Sequence, residues 1–316
     1  MANPSPLDGS CVLTAAAEPL AGTAPHRRVW ALVEHPGPWG RDAVLDAPWP
    51  TPSFGAALHA VVDAADVRLV LARRPGRRLT GTAPARPTVI VAVVGPGGWA
   101  GALRLDGPAA VTGLDWRALA AARSRPAGWE DSGEVWAVCT HGTRDTCCAV
   151  LGSPLAAALH VAGAAATWEI SHSGGHRFAG VLLALPEGLC YGRVQPGDVP
   201  ELVAARARGA VVPRLLRGRM HLTYPLQAGE VALLAHLGSD GLDAVVPVFC
   251  EGEGPVVSTV WRRPAAGELW RVDVEQVPIP DRPGSCGKRP EPAVAWRPGT
   301  PALLAPPGRH GVNSAP

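Results

Sequence analysis

The chain has 316 residues, of which 47% are hydrophobic and 18% charged, and its formal net charge is +2. This composition supports buried cores and excludes an intrinsically disordered chain, and the near-neutral charge gives no electrostatic case for nucleic acid or an anionic membrane as a partner. The N-terminus lacks the basic and apolar regions of a secretory signal, and the most apolar long stretch, 147–166, contains Ser153, Pro154 and His160. We therefore expect a cytoplasmic protein of about two domains.

The first half of the chain predicts the element order β-α-β-β-β-α. The predicted strands and helices, in chain order, lie at residues 30–34, 53–65, 67–71, 88–94, 100–105 and 114–121. The strand at 88–94 is mostly β-branched, and the turn Pro-Gly-Gly that follows it predicts a hairpin with the next strand. The whole order is typical of a thioredoxin-like α/β sandwich.

The same order recurs in the second half. Its predicted elements lie at residues 135–139, 148–161, 167–170, 178–185, 189–194 and 199–208. Gly209 follows the last helix, where a glycine in the left-handed conformation commonly ends a helix. The recurrence predicts an α/β fold in which two thioredoxin-like β-α-β-β-β-α domains arose by duplication.

A third region follows the two predicted domains. Residues 213–226 are basic, contain two prolines and predict a connector. A helix at 227–237 and apolar segments near 243–250, 256–262 and 269–275 predict a small α+β appendix, and an extended tail rich in Pro and Arg, with disorder at its end, follows from 278. The predicted boundaries are 1–128 for the N-terminal domain, 129–212 for the second domain and 213–316 for the C-terminal region.

A set of cysteines and histidines distinguishes the second half from the first. The chain has seven cysteines, and this odd number favours metal or redox chemistry over a disulfide framework. Cys139 ends a predicted strand, and Cys148 begins the next helix after a polar loop. His172 and His176 flank Ser-Gly-Gly between two further predicted strands. In a thioredoxin-like topology these two loops lie at the same end of the sheet, so the four side chains are expected to converge.

The spacing of these residues narrows the choice of metal. Eight residues between Cys139 and Cys148 is long for a zinc knuckle, and two glycines between the histidines disfavour a helical His-x-x-x-His pair. Two thiolates and two imidazoles suit a [2Fe–2S] cluster. Because two thiolates only neutralise the 2+ charge of the oxidised core, the reduction potential should exceed that of an all-cysteine ferredoxin.

The segments CTHGTRDTCCAVLG, HSGGHRFAG and LCYGRV resemble the sucrase/ferredoxin-like proteins, a branch of the thioredoxin-like ferredoxins. EPLAGTA, EHPGPWG, LRGRMHLTYPLQAGE and SCGK extend the resemblance over most of the chain. The resemblance implies a thioredoxin-like domain with a [2Fe–2S] cluster bound by two Cys and two His. The matching positions are Cys139, Cys148, His172 and His176. Cys147, beside Cys148, departs from the pattern, and the spacing favours Cys148.

The leading hypothesis is an iron–sulfur electron carrier that serves a redox partner protein, rather than a stand-alone enzyme. One alternative is a thiol–disulfide oxidoreductase that uses Cys139 with Cys147 or Cys148, although the usual Cys-x-x-Cys at a helix start is missing. The other alternative is a structural zinc module that organises a binding surface.

His141 is expected outside the ligand set, either supporting the ligands or facing solvent. Arg144 and Asp145 are expected either to form a loop salt bridge with each other or to donate to the cluster sulfurs. Cys190 is expected in the core, and Cys11, Cys250 and Cys286 have no spaced partners and are expected to be structural.

Overall fold

Two β-sheets organise the part of the chain that the computed structural model describes, residues 7, 9–76, 84–164, 166–252 and 254–305. The strands are β1 Val29–Glu34, β2 Val67–Arg73, β3 Thr88–Val93, β4 Trp99–Arg104, β5 Glu130–Asp131, β6 Val135–Cys139, β7 Ala166–Ile170, β8 Leu182–Leu185, β9 Leu189–Tyr191, β10 Leu216–Arg219, β11 Val246–Glu251, β12 Val256–Arg263, β13 Glu268–Pro283, β14 Pro290–Pro298 and β15 Ala302–Ala305. The α-helices are α1 Cys11–Thr14, α2 Ala43–Asp46, α3 Phe54–Asp63, α4 Trp116–Ala121, α5 Thr146–Val161, α6 Val199–Ala207 and α7 Tyr224–Leu237. The fold is mixed α/β, as predicted.

The larger sheet has ten strands in the order β10-β9-β8-β6-β7-β2-β1-β3-β4-β5. In the first half, β1 pairs in parallel with β2 and antiparallel with β3, and β3 pairs antiparallel with β4. In the second half, β6 pairs in parallel with β7 and antiparallel with β8, and β8 pairs antiparallel with β9. The two halves therefore show the same strand pairing and meet edge to edge where β2 pairs with β7.

Most predicted elements of the two halves are confirmed, but two strands are shorter than predicted: β8 begins at Leu182 instead of 178, and β9 ends at Tyr191 instead of 194. The segment 178–185 begins with a short 3-10 helix, His176–Phe178, and becomes a strand only at β8. Phe178 N–H and Ala179 N–H donate to the carbonyls of Gly175 and His176, which turns this part of the chain over the end of the sheet. Gly209 has a φ of +66°, as its predicted position after α6 requires.

The C-terminal region contains more regular structure than its sequence predicted. The segment expected to be a connector contains β10, which pairs antiparallel with β9. The segment expected to be an extended tail contains β14 and β15, which both pair with β13 in a five-stranded antiparallel sheet. The three prolines of β14 masked its β pattern, because proline weakens a strand prediction. The predicted disorder at the end of the chain falls on residues 306–316, outside the described residues.

The buried side chains form three apolar clusters, and the middle one contains the cysteines. Helix α3 packs on one face of the first half, where Leu58 and Val62 are buried against β-strand valines. Helices α5, α6 and α7 bury a second cluster that includes Trp261 of the C-terminal sheet. The middle cluster holds Cys139, Cys147 and Cys148 among apolar side chains from both halves. No helix in the described ranges is long and apolar enough to cross a bilayer.

The short junction between β2 and β7 contains a buried ion pair, Arg73 Nε–Glu169 Oε2 at 2.7 Å. The Thr140 hydroxyl donates to the same carboxylate oxygen. Removing one partner of a buried pair leaves an uncompensated charge, so Glu169→Gln should lower the free energy of unfolding by about 3–5 kcal/mol. Denaturant unfolding measures this loss.

Asp240→Asn provides the matched control, because Asp240 pairs with Arg208 at the surface, where both side chains are about half exposed. It should cost at most about 1 kcal/mol. Equal losses in the two variants would show that the junction between the halves does not depend on its buried charges.

Candidate metal centre

The two parallel strands β6 and β7 bring the predicted ligands to one edge of the large sheet. Cys139 is the last residue of β6 and lies opposite Ile170, the last residue of β7. His172 therefore follows β7 at the edge where Cys139 ends β6. Cys148 lies in the first turn of α5, which a loop of six residues separates from the end of β6. Local strand register and a short loop thus position three of the four predicted side chains.

Cys139, Cys148 and His172 form one compact group of donors. Their sulfur atoms and one imidazole nitrogen all lie within 4.8 Å of one another. Cys139 and Cys148 are buried, whereas the His172 side chain is 15% exposed. The group therefore has a deep thiol side and an imidazole side that reaches the surface.

His176 lies beside His172, with 5.2 Å between the ring centroids, but its ring is not in the same donor group. Its Nδ1 is 3.3 Å from Asp145 Oδ2, and it shares a second group with Asp145 and Cys11. Within the described part of the chain, neither ring nitrogen of His176 makes a hydrogen bond, and neither does His172 Nδ1. Buried nitrogens without hydrogen bonds are costly, and coordination to a metal would satisfy them.

A hydrogen bond links the thiols of Cys139 and Cys148 and shifts their pKa values in opposite directions. A hydrogen bond from Cys148 holds the pKa of Cys139 well below its usual range, although burial opposes this effect. The same hydrogen bond, together with burial, raises the pKa of Cys148 well above its usual range. The positive end of the α5 dipole favours negative charge at this position. The hydrogen bond therefore favours the thiolate form of Cys139 and the thiol form of Cys148, and a metal that bound both sulfurs would displace the Cys148 proton.

His141 lies next to the donor group and supports it through the backbone. Its Nδ1 accepts a hydrogen bond from the His172 N–H at 3.2 Å, and its Nε2 lies 2.7 Å from the Gly40 carbonyl. This arrangement requires a neutral ring with the proton on Nε2, and burial lowers the pKa of His141, which favours the neutral form. His141 thus positions His172.

The loop between β6 and α5 rests on the first half of the chain. The Thr143 hydroxyl donates to the Trp39 carbonyl at 2.7 Å, and Arg144 Nη1 donates to the Arg41 carbonyl. Gly40, which contacts His141, lies between these two residues. The segment EHPGPWG, which has no thiol, therefore provides backbone acceptors that hold the cysteine loop of the second half.

The predicted salt bridge between Arg144 and Asp145 is not formed in the described structure. Asp145 instead faces the two histidines. Its Oδ1 accepts hydrogen bonds from the Ser285 hydroxyl and the Cys286 N–H, both at 2.7 Å. Burial alone would raise the pKa of Asp145, but these hydrogen bonds and the nearby imidazoles lower it. A buried carboxylate therefore connects the candidate centre to the turn after β13.

Three cysteines that carried no spacing signal also meet beside this centre. The sulfur atoms of Cys11, Cys147 and Cys286 lie within 4.8 Å of one another. A hydrogen bond from the Cys11 thiol to the Cys147 sulfur raises the pKa of Cys11. The same hydrogen bond lowers the pKa of Cys147 to about 6. More than 130 residues separate each of the other two from Cys147, so sequence spacing could not reveal the group. The only sequence signal was the family-like segment SCGK around Cys286.

The turn between the two histidines requires glycine, because its backbone adopts positive φ angles. Gly174 and Gly175 have φ values of +99° and +72°, in the region that side chains rarely adopt. A side chain at Gly175 would also overlap the guanidinium of the fully buried Arg217. Arg217 donates to the Gly174 carbonyl and the Thr23 hydroxyl. The Ser-Gly-Gly sequence thus lets the chain turn tightly over an arginine.

Helix α5 approaches the end of β6 through Gly152, whose added Cβ would overlap the Cys139 carbonyl oxygen. Alanine normally stabilises a helix interior relative to glycine by about 1 kcal/mol. Overpacking against a fixed backbone costs about 1–3 kcal/mol or more. Gly152→Ala should therefore lower the free energy of unfolding in denaturant titrations despite its better helix propensity.

Gly197→Ala is the control, because the space around Gly197 is open and its φ is not in the left-handed region. It should change the free energy of unfolding by no more than about 0.5 kcal/mol. If Gly152→Ala proves as stable as the control or more stable, α5 does not pack closely on Cys139.

Two comparisons relate the chain to known proteins. The family model described as sucrase/ferredoxin-like matches residues 20–218, more than half of the chain. Altered inheritance of mitochondria protein 32 from Meyerozyma guilliermondii is 33% identical over 91 residues, which cover 26% of this chain and 32% of that protein. The protein of the same name from Candida glabrata is 31% identical over 100 residues, 27% of this chain and 32% of its own. The chain thus matches about a third of the length of these curated relatives, and no solved structure matches it significantly.

Proposed function

The chain belongs to the sucrase/ferredoxin-like family, and on that premise we propose that it is a [2Fe–2S] electron-transfer protein. In this proposal, Cys139, Cys148, His172 and His176 hold the cluster. The observation that carries it is the buried group of two cysteine sulfurs and one imidazole nitrogen within 4.8 Å, with a second imidazole alongside. When bound, such a cluster accepts and donates single electrons.

The donor set of two thiolates and two imidazoles suits an iron–sulfur cluster. Thiolates and imidazoles together ligate [2Fe–2S] centres of raised potential. Both ring nitrogens of His176 and Nδ1 of His172 make no hydrogen bond in the described structure, and the thiols are surrounded by apolar side chains. The surroundings of the four residues therefore favour coordination over hydrogen bonding to protein.

Other residues of the chain would fix the ligands in place. Arg68 Nη2 donates to the His172 carbonyl at 3.0 Å, and His141 accepts from its N–H, so both backbone polar groups of His172 are held. We infer that the first half serves as a support for the cluster loop, since its segment around Gly40 contacts that loop. In this account both halves are thioredoxin-like and arose by duplication, as their matching strand pairing suggests.

The proposed route for electrons leaves the protein at His172. Its side chain is more exposed than either cysteine ligand, and it borders a polar cavity of about 150 Å³ that is also lined by Arg68, Arg144 and His59. A redox partner protein would approach this face, where two arginines favour an acidic contact surface. All seven cysteines are free thiols, which suits the cytoplasmic location included in this proposal.

Iron and sulfide analysis tests the proposal on the full chain. Protein prepared anaerobically from iron-replete cells should be brown and contain about two irons and two acid-labile sulfides per chain. A colourless protein would contradict the proposal. One zinc per chain at Cys139 and Cys148 without sulfide would favour the structural zinc module. Reduction of a disulfide substrate by cluster-free protein would favour the oxidoreductase.

A further inference from the structure

A second cluster of thiols lies beside the proposed cluster site and is not used by it. The sulfur atoms of Cys11, Cys147 and Cys286 are separated by 3.5 Å (Cys11–Cys147), 3.4 Å (Cys11–Cys286) and 3.7 Å (Cys147–Cys286). Each comes from a different part of the fold: α1, the first turn of α5 and the turn after β13. None of these distances is that of a disulfide, which requires about 2.05 Å.

The shape of this thiol triangle matches a metal site. A zinc ion with Zn–S bonds of about 2.3 Å in tetrahedral geometry places its sulfur ligands about 3.8 Å apart. All three observed separations lie within a few tenths of an ångström of that value. Thiols are weak hydrogen-bond partners for one another, so the hydrogen bond between Cys11 and Cys147 does not by itself account for three sulfurs in mutual contact. Three thiols also cannot all form disulfides with one another, because each disulfide joins two of them.

The surroundings hold the three sulfurs in position. Asp145 fixes the Cys286 turn through hydrogen bonds from Ser285 and the Cys286 N–H, and Ser285 is itself buried. Cys11 and Cys147 are at most 1% exposed. Cys147 also lies at the N-terminus of the 16-residue helix α5, where the helix dipole favours thiolate.

A buried carboxylate beside the triangle adds negative charge that a cation would balance; its Oδ2 lies 3.3 Å from His176 Nδ1. The Asp145 side chain is fully buried, and its Oδ2 makes no hydrogen bond among the described residues. A carboxylate oxygen of Asp145 lies within 4.8 Å of Cys11 Sγ. The carboxylate therefore lies beside the triangle at Cys11, but it does not share the 4.8 Å donor group of Cys147 and Cys286, so the three sulfurs are the ligands that the geometry supports.

We propose that Cys11, Cys147 and Cys286 bind a Zn²⁺ ion that joins the N-terminal segment and the C-terminal sheet to the loop of the candidate metal centre. The three thiols lose their protons on binding, and no electrons are transferred. A consequence that rests on the proposed function is that zinc retains Cys147 and leaves its neighbour Cys148 to the iron–sulfur cluster. The adjacent thiols would thus be assigned to two different metals.

Metal analysis of the full chain tests this site separately from the cluster. Protein from cells grown with both zinc and iron should contain about one zinc per chain, and Cys11→Ser or Cys286→Ser should reduce the zinc content at least about tenfold. Cys250→Ser is the matched control, because Cys250 is exposed and lies outside the triangle. Zinc-edge X-ray absorption of the unmodified protein, which needs no variant to fold, should show about three sulfurs at about 2.3 Å.

The outcomes distinguish this proposal from the proposed function. Two irons and two sulfides without zinc would overturn the zinc site and leave the proposed electron carrier intact. Zinc without sulfide would overturn the proposed electron carrier and leave the zinc site intact. Zinc that is lost in Cys139→Ser but retained in Cys11→Ser and Cys286→Ser would place it at the other site and overturn the proposal. A disulfide between any two of the three cysteines, found by mass spectrometry of the fresh protein, would also overturn it.

Discussion

Serine at Cys139 or Cys148 should abolish the visible absorption of the protein, whereas serine at Cys147 should retain it. Each ligand change removes one of the two thiolates that balance the charge of the oxidised cluster, and a serine hydroxyl is not a soft donor. Iron and acid-labile sulfide should fall from about two each to near zero per chain. The measurement is chemical iron and sulfide analysis alongside the visible spectrum.

Cys147 is a close control for this experiment, because it is adjacent to Cys148 in the chain and equally buried. Cys147→Ser should therefore test for nonspecific damage to the first turn of α5. Cys147→Ser should also lose zinc while keeping iron, whereas Cys148→Ser should lose iron while keeping zinc. Loss of iron in Cys147→Ser with retention in Cys148→Ser would reverse the assignment of the two thiols.

Replacing His172 or His176 by cysteine should lower the reduction potential of the bound cluster. The added thiolate carries a negative charge that a neutral imidazole does not, so the reduced state becomes harder to form. Histidine-ligated Rieske centres lie at about −150 to +300 mV and plant-type all-cysteine ferredoxins near about −400 mV, so the expected shift is on the order of hundreds of millivolts. Redox titration followed by visible absorption measures it.

The potential of the unmodified protein should also depend on pH. Reduction makes the cluster more negative, so a bound imidazole holds its proton more tightly in the reduced state. Above the pH at which the oxidised form loses that proton, reduction takes up a proton and the potential falls by about 59 mV per pH unit. The slope should weaken in His172→Cys and His176→Cys. His160→Gln, an exposed position in α5, should change neither quantity. A potential independent of pH would contradict imidazole ligation.

Much of the sheet could be predicted from the sequence, because its strands and helices carry local signals. The β6 strand matched its predicted bounds, and α5 begins two residues earlier than predicted. Alternation, β-branched residues and glycine turns act over short distances and are visible in one chain. The close approach of Cys139, Cys148 and His172 followed from the parallel pairing of two short strands. Local patterns were therefore enough for the centre of the site.

The features that sequence reasoning missed depend on contacts between distant segments. Cys11 and Cys286 approach Cys147 only because α1 and the turn after β13 fold against α5. Asp145 reaches Ser285 across the same interface, and nothing in the local loop sequence distinguishes this from a salt bridge with Arg144. The β10 strand was hidden by its arginines and glycine. Tertiary packing decides these positions, and it leaves no periodic pattern in a single sequence.

The central claim is that two cysteines and two histidines hold one [2Fe–2S] cluster, and nitrogen hyperfine spectroscopy tests it most directly. The reduced protein, labelled with ¹⁵N-histidine, would be measured by electron–nuclear double resonance. The account predicts strong couplings from two histidine nitrogens, one of which is lost in His172→Cys and the other in His176→Cys. A reduced cluster without strongly coupled histidine nitrogen would contradict it.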